Sequence, residues 1–363
     1  MKVDGTTQDG RRFTLAKCAP SALSFLWSVG TPATSDVLLR VEDEELLLPV
    51  APSVPGPAEV RWVLTNALFR GDTFSLHNGP GTSFRRADTL SCQSSSKEWV
   101  LRLLPSFGDA ERVALVNGVA KQLPTAELVT SVADISELPS VENTAYAVTR
   151  LLSLATGSSV AGGIRRIYQS GQPVAESFFE WSIFGGAEST SFSGFIVNDG
   201  VLGNALTRFL NEAIPAFERD DQDLRLSNVI GYLEQARTTP VIEAKIVMCI
   251  LALETLTYRL CLRLGRTSDE LASTNIQQKL NTVRGRLRMG FIDKRFAEEA
   301  RESLRNPLMH SGAIPTLQMP EKVRWADDLY ALTFRMLIFL LGYQGQWLDP
   351  SSGWLPTNAP SPT

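Results

Sequence analysis

Ser303-Leu304-Arg305-Asn306-Pro307-Leu308-Met309-His310-Ser311-Gly312 is the stretch whose reading decides how the second half of the chain is understood. It places an arginine, an amide and one of only two histidines within six residues. These groups suit phosphodiester chemistry in RNA. Histidine exchanges a proton near neutral pH. A guanidinium holds phosphate in a fixed fork and stabilises charge that develops on it. Asparagine orients a phosphate or a hydroxyl without adding charge. Taken alone the Arg-x4-His spacing is weak, because a single helical histidine is more often a cap or a core residue than a catalyst. Residues five apart on an undistorted helix point about 140° away from each other. Pro307 disfavours helix at Asn306 and predicts a bend there, and a bend or a partner subunit is needed to bring Arg305 and His310 together.

Upstream, the spacing predicts a helix over Pro240–Leu264, capped by Gly265. Val247, Leu251, Glu254, Tyr258 and Cys261 recur on one face of it, so Glu254 is expected to point partly inward. A carboxylate in such a place needs a cationic or hydrogen-bonding partner. It either forms a structural ion pair with any nearby arginine or orients Arg305 or His310. Between the two segments, Arg259–Arg305 holds eleven Lys/Arg against six Asp/Glu. Arg284, Arg286, Arg288 and Arg301 are the candidate substrate-binding residues, reading the run as phosphate contacts; a solvated face is the plain alternative.

The order of these parts resembles the HEPN superfamily, all-α RNA-cleaving and nucleotide-binding modules, and is most similar to its ApeA-like branch associated with prokaryotic antiviral defence. The parts are the helix with Ala252-Leu253-Glu254-Thr255-Leu256, a linker and helix, Ser303–Gly312, then a long apolar helix. The resemblance covers roughly Asp220–Tyr343. It implies a helical bundle that acts as a homodimer, with RNA as partner and neither metal nor cofactor. Arg305, Asn306, His310 and Glu254 would be the catalytic set. His310 would serve as general acid/base in attack of the 2′-hydroxyl on the neighbouring phosphate, leaving 2′,3′-cyclic phosphate and 5′-hydroxyl ends. Pro307 departs from the family's usual motif. A dimerisation or RNA/nucleotide-binding module without catalysis is the other implied function.

The fold class expected is therefore α+β: a β-rich N-terminal domain over residues 1–200 that senses an unknown trigger, a connecting helix over 201–221, a helical domain over 222–344, and a disordered Pro/Ser-rich tail over 345–363. In the first part, Val37–Val41 with Glu45–Val50 reads as a hairpin, and so does Val113–Val119 with its Asn-Gly turn. Gly163–Tyr168 and Glu176–Phe184 flank a Ser-Gly-Gln-Pro turn, and one helix is expected around Asn143–Ala155. His77 is placed in a turn-rich loop.

A net charge of −4 argues against a protein that coats nucleic acid generally, though it permits a local basic site. Two separated histidines and four scattered cysteines offer no metal-ligand spacing, and there is no phosphate-binding loop or nucleophile elbow. The cysteines read as buried free thiols. The apolar runs Ile246–Leu253 and Leu332–Leu341 are too short or interrupted to span a bilayer, and no secretory signal is read at the N-terminus. A cytoplasmic protein without membrane contact is expected.

Overall fold

A computed structural model describes residues 56–69, 89–94, 97–116, 123–178, 196–197, 205–314 and 316–360, a few side chains within them excepted, and the backbone of the strands in 3–49 and 73–88. Two hairpins come first, β1 (Val3–Thr6) with β2 (Arg12–Leu15) and β3 (Cys18–Leu26) with β4 (Thr34–Val41). An eight-stranded sheet follows, from β5 (Leu48–Pro49), β6 (Ala58–Thr65), β7 (Thr73–Gly79), β8 (Thr82–Ser94), β9 (Lys97–Leu103), β10 (Pro124–Val132), β11 (Ala161–Gln169) and β12 (Gln172–Phe178). The order is β5-β12-β11-β6-β10-β9-β8-β7, and every pairing is antiparallel.

Alternation along β6 explains how the sheet faces its core. Ala58, Val60, Trp62 and Leu64 point inward and are buried, while Glu59 and Arg61 take the other face and pair at 2.5 Å. Helix α1 (Asp109–Val116) precedes β10, and α2 (Leu138–Thr156) joins β10 to β11. Next, α3 (Ala205–Leu224) packs on α2 and on β8, where the Gln93 N–H donates to Asn211 Oδ1 at 2.7 Å. Phe209, Leu210, Ile214 and Phe217 of α3 are all buried. The expected connector is thus part of the core.

The helical half runs through α4 (Leu226–Thr238), α5 (Ile242–Arg263), α6 (Ser268–Ala272), α7 (Ile276–Arg286), α8 (Lys294–Glu299), a π-helical segment Ala300–Arg305, α9 (Asn306–Ser311) and α10 (Met319–Leu340). Helix α5 is central, packing on α4, α7 and α10. One hydrophobic cluster runs from the sheet into these helices. The fold is mixed: an antiparallel sheet region followed by helices, as an α+β class requires. No helix among the described residues is long and apolar enough to cross a membrane. Cys92 and Cys249 are buried free thiols that burial pushes up to about 12, and Cys261 is a third buried thiol, raised for the same reason.

Local chemistry fixes several element ends, the expected cap at Gly265 among them. The expected Ser-Gly-Gln-Pro turn is shorter than the sequence suggested: Ser170 and Gly171 take positive φ (51° and 77°) as a two-residue hairpin turn demands, Gln172 and Pro173 already belong to β12, and residues 179–184 of the expected second strand lie outside the described residues. Asn275 caps α7 by a reciprocal capping box with Gln278, and Gly265 ends α5 at φ 90°.

Other expectations differ. Val37–Val41 instead pairs with the preceding strand β3, and Leu48–Pro49 of the expected partner pairs with distant β12; the rest of that expected hairpin lies outside the described residues. Asp109–Val116 is helix where Val113–Val119 suggested a hairpin, because Glu111 accepts the Gly108 N–H at 2.9 Å and Leu115 is drawn into the core. Residues 117–119 of that expected hairpin lie outside the described residues. His77 sits in strand β7 opposite Phe84 rather than in a loop, and its side chain lies outside the described residues.

The expected disordered tail is ordered over 345–360. There β13 (Gln346–Asp349) pairs with β14 (Leu355–Asn358), and fully buried Trp347 stacks on Phe334 with ring centroids 4.8 Å apart. The Pro/Ser composition concealed the buried aromatic anchor that holds this hairpin down.

Asp220 ties α3 to α5. It accepts from Arg263 Nη2 at 2.5 Å and from Arg219 Nη2 at 2.8 Å. Burial pushes its carboxyl up, but the hydrogen bonds from Arg219 and Arg263 and their charges outweigh this and hold it below its ordinary 3.8. A carboxylate depressed on folding contributes stability above its unfolded pKa, and that stability is lost as pH falls through the folded value. Denaturant unfolding followed from about pH 6 to pH 3 should therefore show falling stability in the parent. Asp220→Asn should start lower and lose less over the same window; parallel curves would refute this role.

Candidate functional site

The helical run 294–311 carries the motif residues. Its π segment is bonded at longer spacing, the Asn306 N–H reaching the Arg301 carbonyl. Pro307 follows immediately. Proline lacks an N–H to donate, and in an α-helix its ring collides with the carbonyl four residues back. The wider π turn directly before Pro307 supplies room for that ring. Asn306 accordingly keeps helical angles (φ −64°, ψ −47°), and the break expected from Pro307 is replaced by a change of helical type. Such π insertions recur at functional sites. Gly312, at φ 68°, then ends α9 by donating to the Leu308 carbonyl at 2.9 Å.

Arg305 closes the π segment. Its Nε donates to Glu254 Oε1 at 2.5 Å across to α5, with the two side chains 35% and 26% exposed. Of the two roles left open for Glu254, the structure provides an ion pair, and the partner is the motif arginine. The face of α5 that carries Glu254 is not its core face. Ile246, Cys249, Ile250, Leu253, Leu256 and Leu260 make the core, while Leu251 is exposed and Val247 and Tyr258 are half-buried. Of the expected apolar stripe only Cys261 is fully buried. A stripe read at i, i+4, i+7 can follow the margin of a buried face as easily as its centre.

Using Nε for Glu254 turns one edge of the guanidinium toward the carboxylate and leaves the Nη edge for another anion. Asn306 is half-buried and His310 is exposed, and neither side chain has a hydrogen-bond partner among the described residues. The structure thus joins Arg305 to Glu254. It does not join His310 to either of them within one chain, since α geometry separates residues 305 and 310 by about 140°.

The candidate substrate-binding arginines part company. Arg284 and Arg288 line an open cavity of about 530 Å³ together with Asn281, Gly285, Gly290 and Lys294. Arg286 is exposed and does not line it, and Arg301 pairs with Glu302. Helical phase explains the split within α7: residues 281, 284 and 285 share a face, and 286 stands roughly 200° from 284, while Arg288 reaches the cavity from the turn beyond the helix end. Lys294 and Asn281 were not among the sequence candidates. The missing signal was the turn after α7, where buried Met289 and Ile292 swing the chain back so that Lys294 meets α7.

Arg288 occupies that turn at φ 54°, a left-handed conformation, with the Met289 N–H closing on the Arg284 carbonyl at 3.1 Å. Glycine is the usual residue there, and a side chain costs about 1 kcal/mol. Arg288→Gly should accordingly change stability by no more than about 1 kcal/mol in denaturant unfolding, the relief of backbone strain offsetting the loss of the side chain's own interactions. A loss of more than that would show that the side chain is needed for folding.

Comparison of the chain with models of known families, with curated proteins and with solved structures found no match.

Proposed function

We propose that Arg305, Asn306, His310 and Glu254 form the site of a metal-independent endoribonuclease of HEPN type, acting as a homodimer. The observation that carries this reading is the Glu254–Arg305 contact at 2.5 Å, which fixes the motif guanidinium on the same helical run as an exposed imidazole. In the reaction His310 removes the proton from the RNA 2′-hydroxyl, whose oxygen forms a bond to the adjacent phosphorus. The bond from phosphorus to the 5′-oxygen breaks, and that oxygen takes up a proton. Arg305 stabilises the extra negative charge on the phosphorane, and Asn306 orients a non-bridging oxygen. A cyclic 2′,3′-phosphate and a 5′-hydroxyl result. One histidine per chain serves two proton transfers if a second copy supplies its own His310. DNA, which lacks the 2′-hydroxyl, is not cut by this route. In this reading the N-terminal sheet region senses a trigger, the protein acts in the cytoplasm, and the setting is prokaryotic antiviral or stress defence.

The test is incubation of the purified protein with labelled RNA and with DNA of the same sequence, followed by end-group analysis. RNA fragments with cyclic phosphate ends, absent with Arg305→Ala, support the proposal. RNA cleavage that persists in both Arg305→Ala and His310→Ala would overturn it. A module that dimerises or binds RNA or a nucleotide without cutting is favoured by one observation: Glu254 already neutralises the motif arginine. Retained RNA binding with no cleavage under any trigger would select it.

A further inference from the structure

The cavity beside α7 stands apart from the Arg305 segment. Lys294, on its wall, and Arg305 lie about 16 Å apart along one helical run. Its described lining brings three cations together, Arg284, Arg288 and Lys294, with an amide, Asn281, and two glycines. None of these lining residues is a carboxylate. The adjacent Asp293 is engaged as the cap of α8, accepting the Arg295 N–H at 2.8 Å. Asp293 keeps its charge as a cap, but the cations lining this space still outnumber it, so the local field favours an anion.

Two further features point to a ligand. Arg284 Nε and Asn281 Oδ1, one helical turn apart, are buried without a hydrogen-bond partner. Unpaired buried polar atoms are costly, and lining residues that carry them gain by re-orienting onto a ligand. Arg288 holds a charged side chain at a backbone position that favours glycine. Strain of this kind persists where the side chain has a task.

The chemistry of the wall defines the ligand. Arginines and a lysine suit the fork and point-charge recognition of a phosphate. An asparagine amide beside them accepts from, or donates to, a hydroxyl. A space of about 530 Å³ exceeds what a lone phosphate fills and falls within the range of small-molecule sites. We infer that this cavity binds the 5′-phosphate of a nucleotide unit, with Asn281 meeting a sugar hydroxyl, whether the nucleotide is free or stands at the end of an RNA. The site deepens the proposed function by naming a phosphorylated ligand, but its test does not depend on cleavage.

The experiment is calorimetric titration of the full chain carrying His310→Ala, at one fixed salt concentration. The probes are AMP, adenosine, inorganic phosphate, and one RNA oligonucleotide with a 5′-phosphate or a 5′-hydroxyl. AMP should bind at least tenfold more tightly than adenosine or inorganic phosphate. Adding Arg288→Gly, which suits the local backbone, or Lys294→Ala should weaken AMP about tenfold or more each. An RNA whose 5′-phosphate form binds much more tightly than AMP identifies an RNA end as the source, and equal affinities identify a free nucleotide. AMP binding no tighter than adenosine, or unchanged by both substitutions, overturns the inference. Inorganic phosphate binding as tightly as AMP overturns the nucleotide part. Absence of RNA cleavage by the parent protein in separate assays would count against the nuclease proposal and leave this result standing.

Discussion

His310→Ala should lower the rate of RNA cleavage by about 10²–10⁴-fold, the range for removing a general acid/base. Stability should be almost untouched. The His310 side chain is exposed and makes no hydrogen bond among the described residues, and substitutions at such places usually stay within about 0.5 kcal/mol. The combination matters because it separates chemistry from folding. A structural histidine would show the reverse, a lower melting temperature with the rate per folded molecule unchanged. Arg305→Lys is the companion variant. It keeps a charge but loses the fork that lets Nε address Glu254 while, in the proposed reaction, the Nη edge would address phosphate. The same fall in rate is expected, again with little change in melting temperature. If His310→Ala and the parent cut RNA at equal rates, catalysis does not reside in this segment.

The second large effect lies far from that site. Arg150 of α2 donates through Nη2 to Glu234 Oε1 of α4 at 2.7 Å, and both side chains are almost wholly buried. Burial pushes the Glu234 carboxyl up, while the Arg150 charge and hydrogen bonds from Ser153, Ser159 and Arg150 act against that. Arg150→Ala leaves a buried carboxylate without its counter-charge, and such a loss costs about 3–5 kcal/mol. The double variant Arg150→Met/Glu234→Leu removes both charges and keeps most of the volume. It should recover most of that loss, since a buried pair is worth little more than apolar groups of its own shape. Denaturant midpoints for the parent, the single and the double variant test this directly. A double variant as unstable as the single would show that the pair itself, rather than the orphaned charge, holds α2 on α4.

The same junction shows how far the chain could be read without coordinates. Gly157 ends α2 at φ 65°, and a Cβ there would collide with the Arg237 guanidinium from α4. The need for glycine as a helix stop is local and legible. The arginine lying over it comes from 80 residues further along, and no pattern near Gly157 announces it. The motif behaves alike. Arg305, Asn306, His310 and Glu254 could be picked out by residue type and spacing. The Arg305–Glu254 contact was one of several pairings the spacing allowed, and Pro307 pointed to a break where the backbone instead adopts a π turn.

By itself the sequence determined the features that short-range chemistry controls. These are the end of α5 at Gly265, the reversal of the chain at Ser170-Gly171 between two strands, and the passage from strands to helices near residue 200. Tertiary structure alone decided that β5 joins β12, that residues 109–116 coil, that Trp347 anchors the C-terminal hairpin, and that Lys294 meets Arg284 and Arg288 around one cavity. The physical reason is common to all four. Capping and turn formation are settled within a few residues by backbone hydrogen bonds. Strand partnership, aromatic docking and charge clustering depend on which distant surfaces the hydrophobic core brings together.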